Sequence, residues 1–242
     1  MKPIEYQLPK KKQRLFGPVK KILRLFYKKI KVVTLGPKLD ENCLLLANHA
    51  NKKGPLVYEL FLPIHCVKWG AHEMLETYKK RWRYLRDVLY MQKNGVKKFK
   101  ATIKATFEAT FSKFFYRGIK VLPTYRDARV RRTFDKSVDV LNDGSAVMIY
   151  PENSDKGYFD VLTEFYSGFT FIAEKYYKVN GVDVPIRPVY YHKKKRIIVV
   201  GTPSFYTEMK NKGMKRDEMG EFMKNQVNDL YFRIENGEFD KN

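Results

Sequence analysis

Apolar and polar positions fall in blocks along this chain, and their spacing changes from block to block. Over residues 11–31, Leu15, Val19, Ile22, Leu23, Phe26 and Ile30 recur three and four positions apart, and Lys20, Lys21, Arg24, Lys28 and Lys31 take the other side. That spacing predicts a basic amphipathic helix, with Pro18 near its start, where a helix tolerates proline. Residues 43–47, Cys-Leu-Leu-Leu-Ala, form a short apolar run bounded by polar residues. A run without alternation predicts a strand buried on both faces, as in a parallel sheet.

Further along, residues 55–62 predict a short helix. Residues 99–116 predict a longer one, an apolar stripe with Lys and Thr opposite. A short strand is expected at 121–122, then a helix over 133–141 stopped by Asn142-Asp143-Gly144. Residues 146–150 predict a second buried strand, 168–178 a helix, 184–190 and 196–200 strands, and 216–235 a closing helix. Strands alternating with helices predict an α/β fold, a mixed, mainly parallel sheet flanked by helices. No repeat or low-complexity linker interrupts the pattern. The expected organisation is a basic, membrane-facing arm at 1–35 and a single α/β domain at 36–242.

Composition narrows the classes. A chain of 242 residues with 44% hydrophobic content can bury a real core in one domain. No apolar run reaches the length of a membrane-crossing helix. Cys43 and Cys66, without a CxxC, exclude a disulfide scaffold and a structural zinc site. The opening MKPIEYQLPKKK has charge but no apolar core or small-residue cleavage site, so a cytoplasmic chain with reduced thiols is expected. Lysine and arginine number 48 against 26 acidic residues, a net charge of +22. Such an excess calls for an anionic partner: a membrane surface, an acidic carrier protein or nucleic acid. Nucleic acid has the least support, because no GxxG loop, zinc spacing or RNP-like strand is present. A basic amphipathic arm fits an anionic bilayer.

The chemistry gathers where strands end. Asn48-His49 follow the first buried strand, and Glu152-Asn153-Ser154 follow the second. Open α/β sheets bind ligands at the carboxyl ends of their strands. A histidine there is a candidate general base, since its pKa lies near neutrality. The plainer reading of a lone histidine is a structural ring bonded to backbone. His65, His72 and His192 are read as structural or surface residues.

Four blocks, in order over residues 40–205, resemble the glycerolipid acyltransferase family, the lysophosphatidic acid (1-acylglycerol-3-phosphate) acyltransferases. They are Leu46-Ala47-Asn48-His49-Ala50; residues 118–126, GIKVLPTYR; Tyr150-Pro151-Glu152-Asn153-Ser154; and Val184-Pro185-Ile186-Arg187-Pro188-Val189. The resemblance implies a glycerolipid acyltransferase-like fold. It implies an enzyme that moves an acyl group from acyl-CoA or acyl carrier protein to a hydroxyl of a lysophospholipid or glycerol phosphate, in phospholipid biosynthesis or remodelling. In that reading His49 is the base, Glu152 and Ser154 bind the glycerol part, Arg126 and Lys156 bind the phosphate, and Asn48, Gly54 and Asn153 line the site. No metal and no permanently bound cofactor is implied. The protein would lie peripherally on the inner face of the membrane.

The chain departs from the family pattern at the aspartate of HxxxxD, where it has Gly54. Glu59 is the first candidate to replace that carboxylate, and Glu73 the second. Asn153 stands in place of a glycine, Asp155 where an arginine is common, and Arg126 two residues late. The alternative reading is therefore a lipid-binding member that kept the fold and lost the chemistry.

Overall fold

The computed structural model describes residue 8 and residues 13–50, 54–153 and 157–240. Its strands in chain order are β1 (Lys31–Thr34), β2 (Leu44–Ala47), β3 (Cys66–Ala71), β4 (Val121–Thr124), β5 (Ala146–Ile149), β6 (Ile186–His192) and β7 (Ile197–Val200). They form one seven-stranded sheet in the order β1-β7-β6-β2-β5-β3-β4. From β6 to β4 every neighbouring pair is parallel, and β6 turns back antiparallel into β7. The protein is thus α/β, with a mixed, mostly parallel sheet between helices.

The apolar run at 43–47 becomes β2, one of the sheet's inner strands, and all of its residues are fully buried. Leu44 and Leu46 join Val147 and Ile149 under the helices α5 (Val130–Asn142) and α6 (Phe169–Asn180). Leu45 and Ala47 turn the other way, with Ala146 and Met148, onto Val57 and Tyr58 of α2 (Gly54–Phe61). A strand covered on both faces cannot alternate, which is why the unbroken run is diagnostic.

Two expectations are corrected. The helix expected over 11–31 is shorter among the described residues: α1 spans Phe16–Leu25, and Lys31 already belongs to β1, which pairs with β7. The last residues of the expected arm are therefore part of the sheet. The strand β3 is absent from the expected elements, because Lys68 and Gly70 break its apolar pattern. Lys68 is fully buried and its ammonium donates to the Glu59 carboxylate, so a tertiary partner makes the lysine tolerable there.

The helix expected over 99–116 is α4 (Lys98–Gly118), which follows a 3-10 turn at His72–Leu75, α3 (Tyr78–Arg83) and a π-helical stretch at Tyr84–Lys93. Its apolar stripe exists but faces outward. The helix packs inward through Ala101, Ala105, Ala109 and Ser112, against Met74, Leu85 and Leu89. Small side chains let the helices approach closely, and they leave the phenylalanines on the open side. The chain closes with α7 (Tyr206–Asn211) and α8 (Arg216–Glu235).

Candidate active site

β2 and β5 pair in parallel, Leu46 opposite Ile149, so the residues after each strand emerge side by side. His49 follows β2 and Glu152 follows β5. The backbone N–H of His49 donates to Glu152 Oε1 at 2.5 Å. The two predicted strand-end clusters therefore meet.

The local backbone makes this meeting possible. Ala50 has a left-handed conformation, φ 45°, unusual for a residue with a Cβ. Gly54, which starts α2, lies back against His49. A Cβ on Gly54 would stand 2.0 Å from the His49 carbonyl oxygen. Only glycine permits that approach. Gly54 is thus part of the site as backbone, not as a missing side chain.

Asn48 is buried and occupied. Its Oδ1 accepts from the Tyr58 hydroxyl at 2.7 Å and from the Tyr191 N–H at 2.9 Å, and its Nδ2 donates to the Tyr191 carbonyl at 3.2 Å. It ties the end of β2 to α2 and β6.

The structure also gives Glu59 a different part. Its carboxylate pairs with Lys20 of α1, Lys68 of β3 and Lys120, the last at 2.7 Å. Burial pushes its pKa up, but Lys68 and Lys120 outweigh that and hold it down at about 2. Burial, with Lys68 nearby, in turn pulls Lys120 down to about 8 despite Glu59. Glu59 closes a buried ionic cluster that joins α1 to the domain. Glu73 pairs with His72, at 3.6 Å.

Glu152 is half-buried. Burial raises its pKa to about 7, opposed by the His49 N–H and by Lys93. A carboxyl group poised near neutrality can hold or release a proton under ordinary conditions.

Aromatic rings surround the imidazole. Tyr150 and Tyr158 each pack on His49 with centroids 4.8 Å apart. The Lys93 ammonium sits 5.9 Å from the Tyr158 ring centre. Sequence reading misses Lys93 and Tyr158, which come from the π-helical stretch and from a loop and carry no strand-end signal. Tyr150 stands inside one of the four blocks, and its apolar neighbours conceal it.

Asn153 Nδ2 donates to Glu164 Oε2 at 2.5 Å. Arg126 is exposed just beyond β4, the edge strand. Three strand spacings separate β4 from β2, or about 14 Å, which puts the start of the Arg126 loop to one side of the His49 turn. Ser154 and Lys156 lie outside the described residues. His65 contacts Ser145 Oγ, His72 stacks on Tyr125 and meets Glu76, and His192 meets Glu235. Among the described residues, no three His, Cys, Asp or Glu side chains gather as a metal ion would need. No described helix is long and apolar enough to cross a membrane.

The arrangement offers an imidazole, a carboxyl group poised near neutrality and an aromatic wall at the carboxyl edge of a parallel sheet. No protein-family model matches the chain, and no curated protein matches it.

Proposed function

We propose that the protein transfers an acyl group from acyl-CoA or acyl carrier protein to a hydroxyl of a lysophospholipid or glycerol phosphate, at an anionic membrane surface on the cytoplasmic side. The observation that carries this reading is the juxtaposition of His49 and Glu152 after paired parallel strands. It is supported by the four sequence blocks that resemble the glycerolipid acyltransferases.

In this mechanism His49 takes the proton of the acceptor hydroxyl as its oxygen attacks the thioester carbonyl. The new ester C–O bond forms and the C–S bond breaks. The imidazolium returns its proton to the departing thiolate. Glu152 holds the glycerol part through its polar groups. Arg126, at the rim, and Lys156 bind the phosphate, which suits the forked guanidinium.

A second reading, a lipid-binding protein without turnover, is favoured by Gly54. That position carries no carboxylate, and Glu59 is bound to lysines instead. The test is to incubate the purified chain with labelled acyl-CoA or acyl carrier protein and a panel of lysolipids and glycerol phosphate. Labelled product that disappears with His49→Ala supports transfer. Acceptor binding without product supports the second reading, and neither binding nor product rejects both.

A further inference from the structure

The helix α4 carries an exposed apolar stripe that neither the sheet nor the site uses. Phe99, Ile103, Phe107, Phe111 and Phe114 are 80%, 57%, 73%, 60% and 46% exposed. They fall within about 120° of arc on one side of the helix. Isolated exposed apolar residues are ordinary, but a continuous row of this kind marks a contact surface.

We infer that this face of α4 inserts into the interfacial layer of an anionic lipid bilayer, with the helix lying in the membrane plane. The inference deepens the lipid reading of the site by naming the surface that meets the bilayer, and it does not depend on the chemistry at His49.

Charge is the first argument. Lys97, Lys100 and Lys104 line an open depression at the start of the helix, beside Phe99. Lys113 lies near its far end. Lysines beside a phenylalanine row can reach lipid phosphates while the rings enter the acyl boundary. The helix's single acidic residue, Glu108, accepts from the Tyr90 hydroxyl, and the Lys104 ammonium lies 5.5 Å from the same ring centre.

The threonines give the second argument. Thr102, Thr106 and Thr110 each donate their hydroxyl to the carbonyl four residues back, at 2.9, 3.0 and 3.1 Å. Hydroxyls satisfied within the helix can enter an apolar layer at little cost. On that flank Trp82 Nε1 donates to Thr106 Oγ1, and Tyr78 donates to the Thr106 carbonyl. The Arg86 guanidinium lies 4.2 Å from the Trp82 ring centre. Trp, Tyr and Arg at the rim of an apolar surface suit the headgroup level of a bilayer.

Continuity is the third argument. Phe16 of α1 contacts Phe114 edge-on, with centroids 5.6 Å apart. Leu15, Ile22, Leu25 and Phe26, in α1 and at its two ends, are exposed apolar side chains as well. Meanwhile Lys20 and Arg24 turn inward to Glu59 and to the Leu60 carbonyl. A second copy of the chain is the weaker occupant. Pairing two stripes would bring their lysines together on molecules of net charge +22, and like charges oppose that.

The test uses the full chain and sedimentation with vesicles of phosphatidylcholine, with and without phosphatidylglycerol. Binding should require phosphatidylglycerol and weaken with salt. The paired substitution Phe107→Asp with Phe111→Asp should lower vesicle affinity by at least about 30-fold, since two rings no longer leave water. Phe107→Leu with Phe111→Leu should retain most of it. Because both rings are exposed, all these variants should keep the wild-type circular dichroism spectrum. In a Phe107→Trp variant, brominated acyl chains should quench the fluorescence that the substitution adds. Bound protein in which that added fluorescence is unquenched would overturn the inference. So would unchanged affinity in the aspartate pair, or a dimer in solution that this pair dissolves. The readout is binding and not acyl transfer, so an inactive protein that binds by this face would refute the enzymatic reading alone.

Discussion

The α-carbon of Gly54 is packed against the carbonyl oxygen of His49 so closely that a Cβ would stand 2.0 Å from it. The contact is backbone against backbone, and neither side can move as a flexible side chain would. The position that corresponds to the aspartate of an HxxxxD motif is thus closed to any side chain.

Gly54→Ala should therefore destabilise the fold by about 1–3 kcal/mol, the range for forcing an atom into a packed site. Gly54→Asp should do at least as much and should not raise transfer. Urea unfolding midpoints read the first effect and a labelled-product assay the second. A stable Gly54→Asp protein with increased transfer would show that the turn can open.

His49→Ala should reduce transfer to background while leaving the unfolding free energy within about 1 kcal/mol of wild type. Residual transfer at more than a few per cent would mean that another group takes the proton. His72, also just beyond a strand, is occupied by Tyr125 and Glu76.

The ionic cluster predicts a separate behaviour. Glu59→Gln leaves Lys20, Lys68 and Lys120 without their carboxylate and should cost about 3–5 kcal/mol. The folded pKa of Glu59 is about 2, below its ordinary value. Its contribution is therefore complete above the ordinary carboxylate range and lost as pH falls towards 2. Midpoints measured from pH 7 down to 3 should decline in wild type and stay flatter in Glu59→Gln.

Glu152 has the opposite sign. Its folded pKa, about 7, lies above the ordinary value. Between those values the folded state keeps a proton that the unfolded state has lost, so stability falls as pH rises through that window. Glu152→Gln should raise the melting temperature at pH 8 and change it little at pH 4. Equal shifts at both values would mean that Glu152 is solvated in the folded protein.

The N-terminal helix should not be separable from the domain. Phe16 rests on Gly118, where a Cβ would meet its ring at 2.2 Å, and Lys20 and Arg24 bond into α2. Deleting residues 1–31 should lower the unfolding midpoint strongly, because it removes these contacts and the first residue of β1. A truncated chain with the full midpoint would show that α1 adds nothing to the fold.

Where one strand or helix suffices for recognition, the sequence was legible. The unbroken run of β2, the run ending at Tyr150 and the helix over 216–235 follow from local spacing, because burial on both faces or on one stripe writes its own period. The two strand-end clusters were legible for the same reason, and their meeting followed once both strands were parallel neighbours.

Tertiary structure alone decided the rest. Nothing local distinguishes the alanine face of α4 from its phenylalanine face as the one that packs; the space left by Met74, Leu85 and Leu89 decides it. Lys68 looks like a strand breaker until Glu59 stands beside it. Glu59 looks like a replacement for the absent aspartate until Lys20, Lys68 and Lys120 bind it. Gly54 looks like a lost side chain until the His49 carbonyl is seen to need its place. A periodicity records which residues avoid water along one element. Partner choice between elements far apart in the chain depends on shape and charge that only the assembled fold brings together.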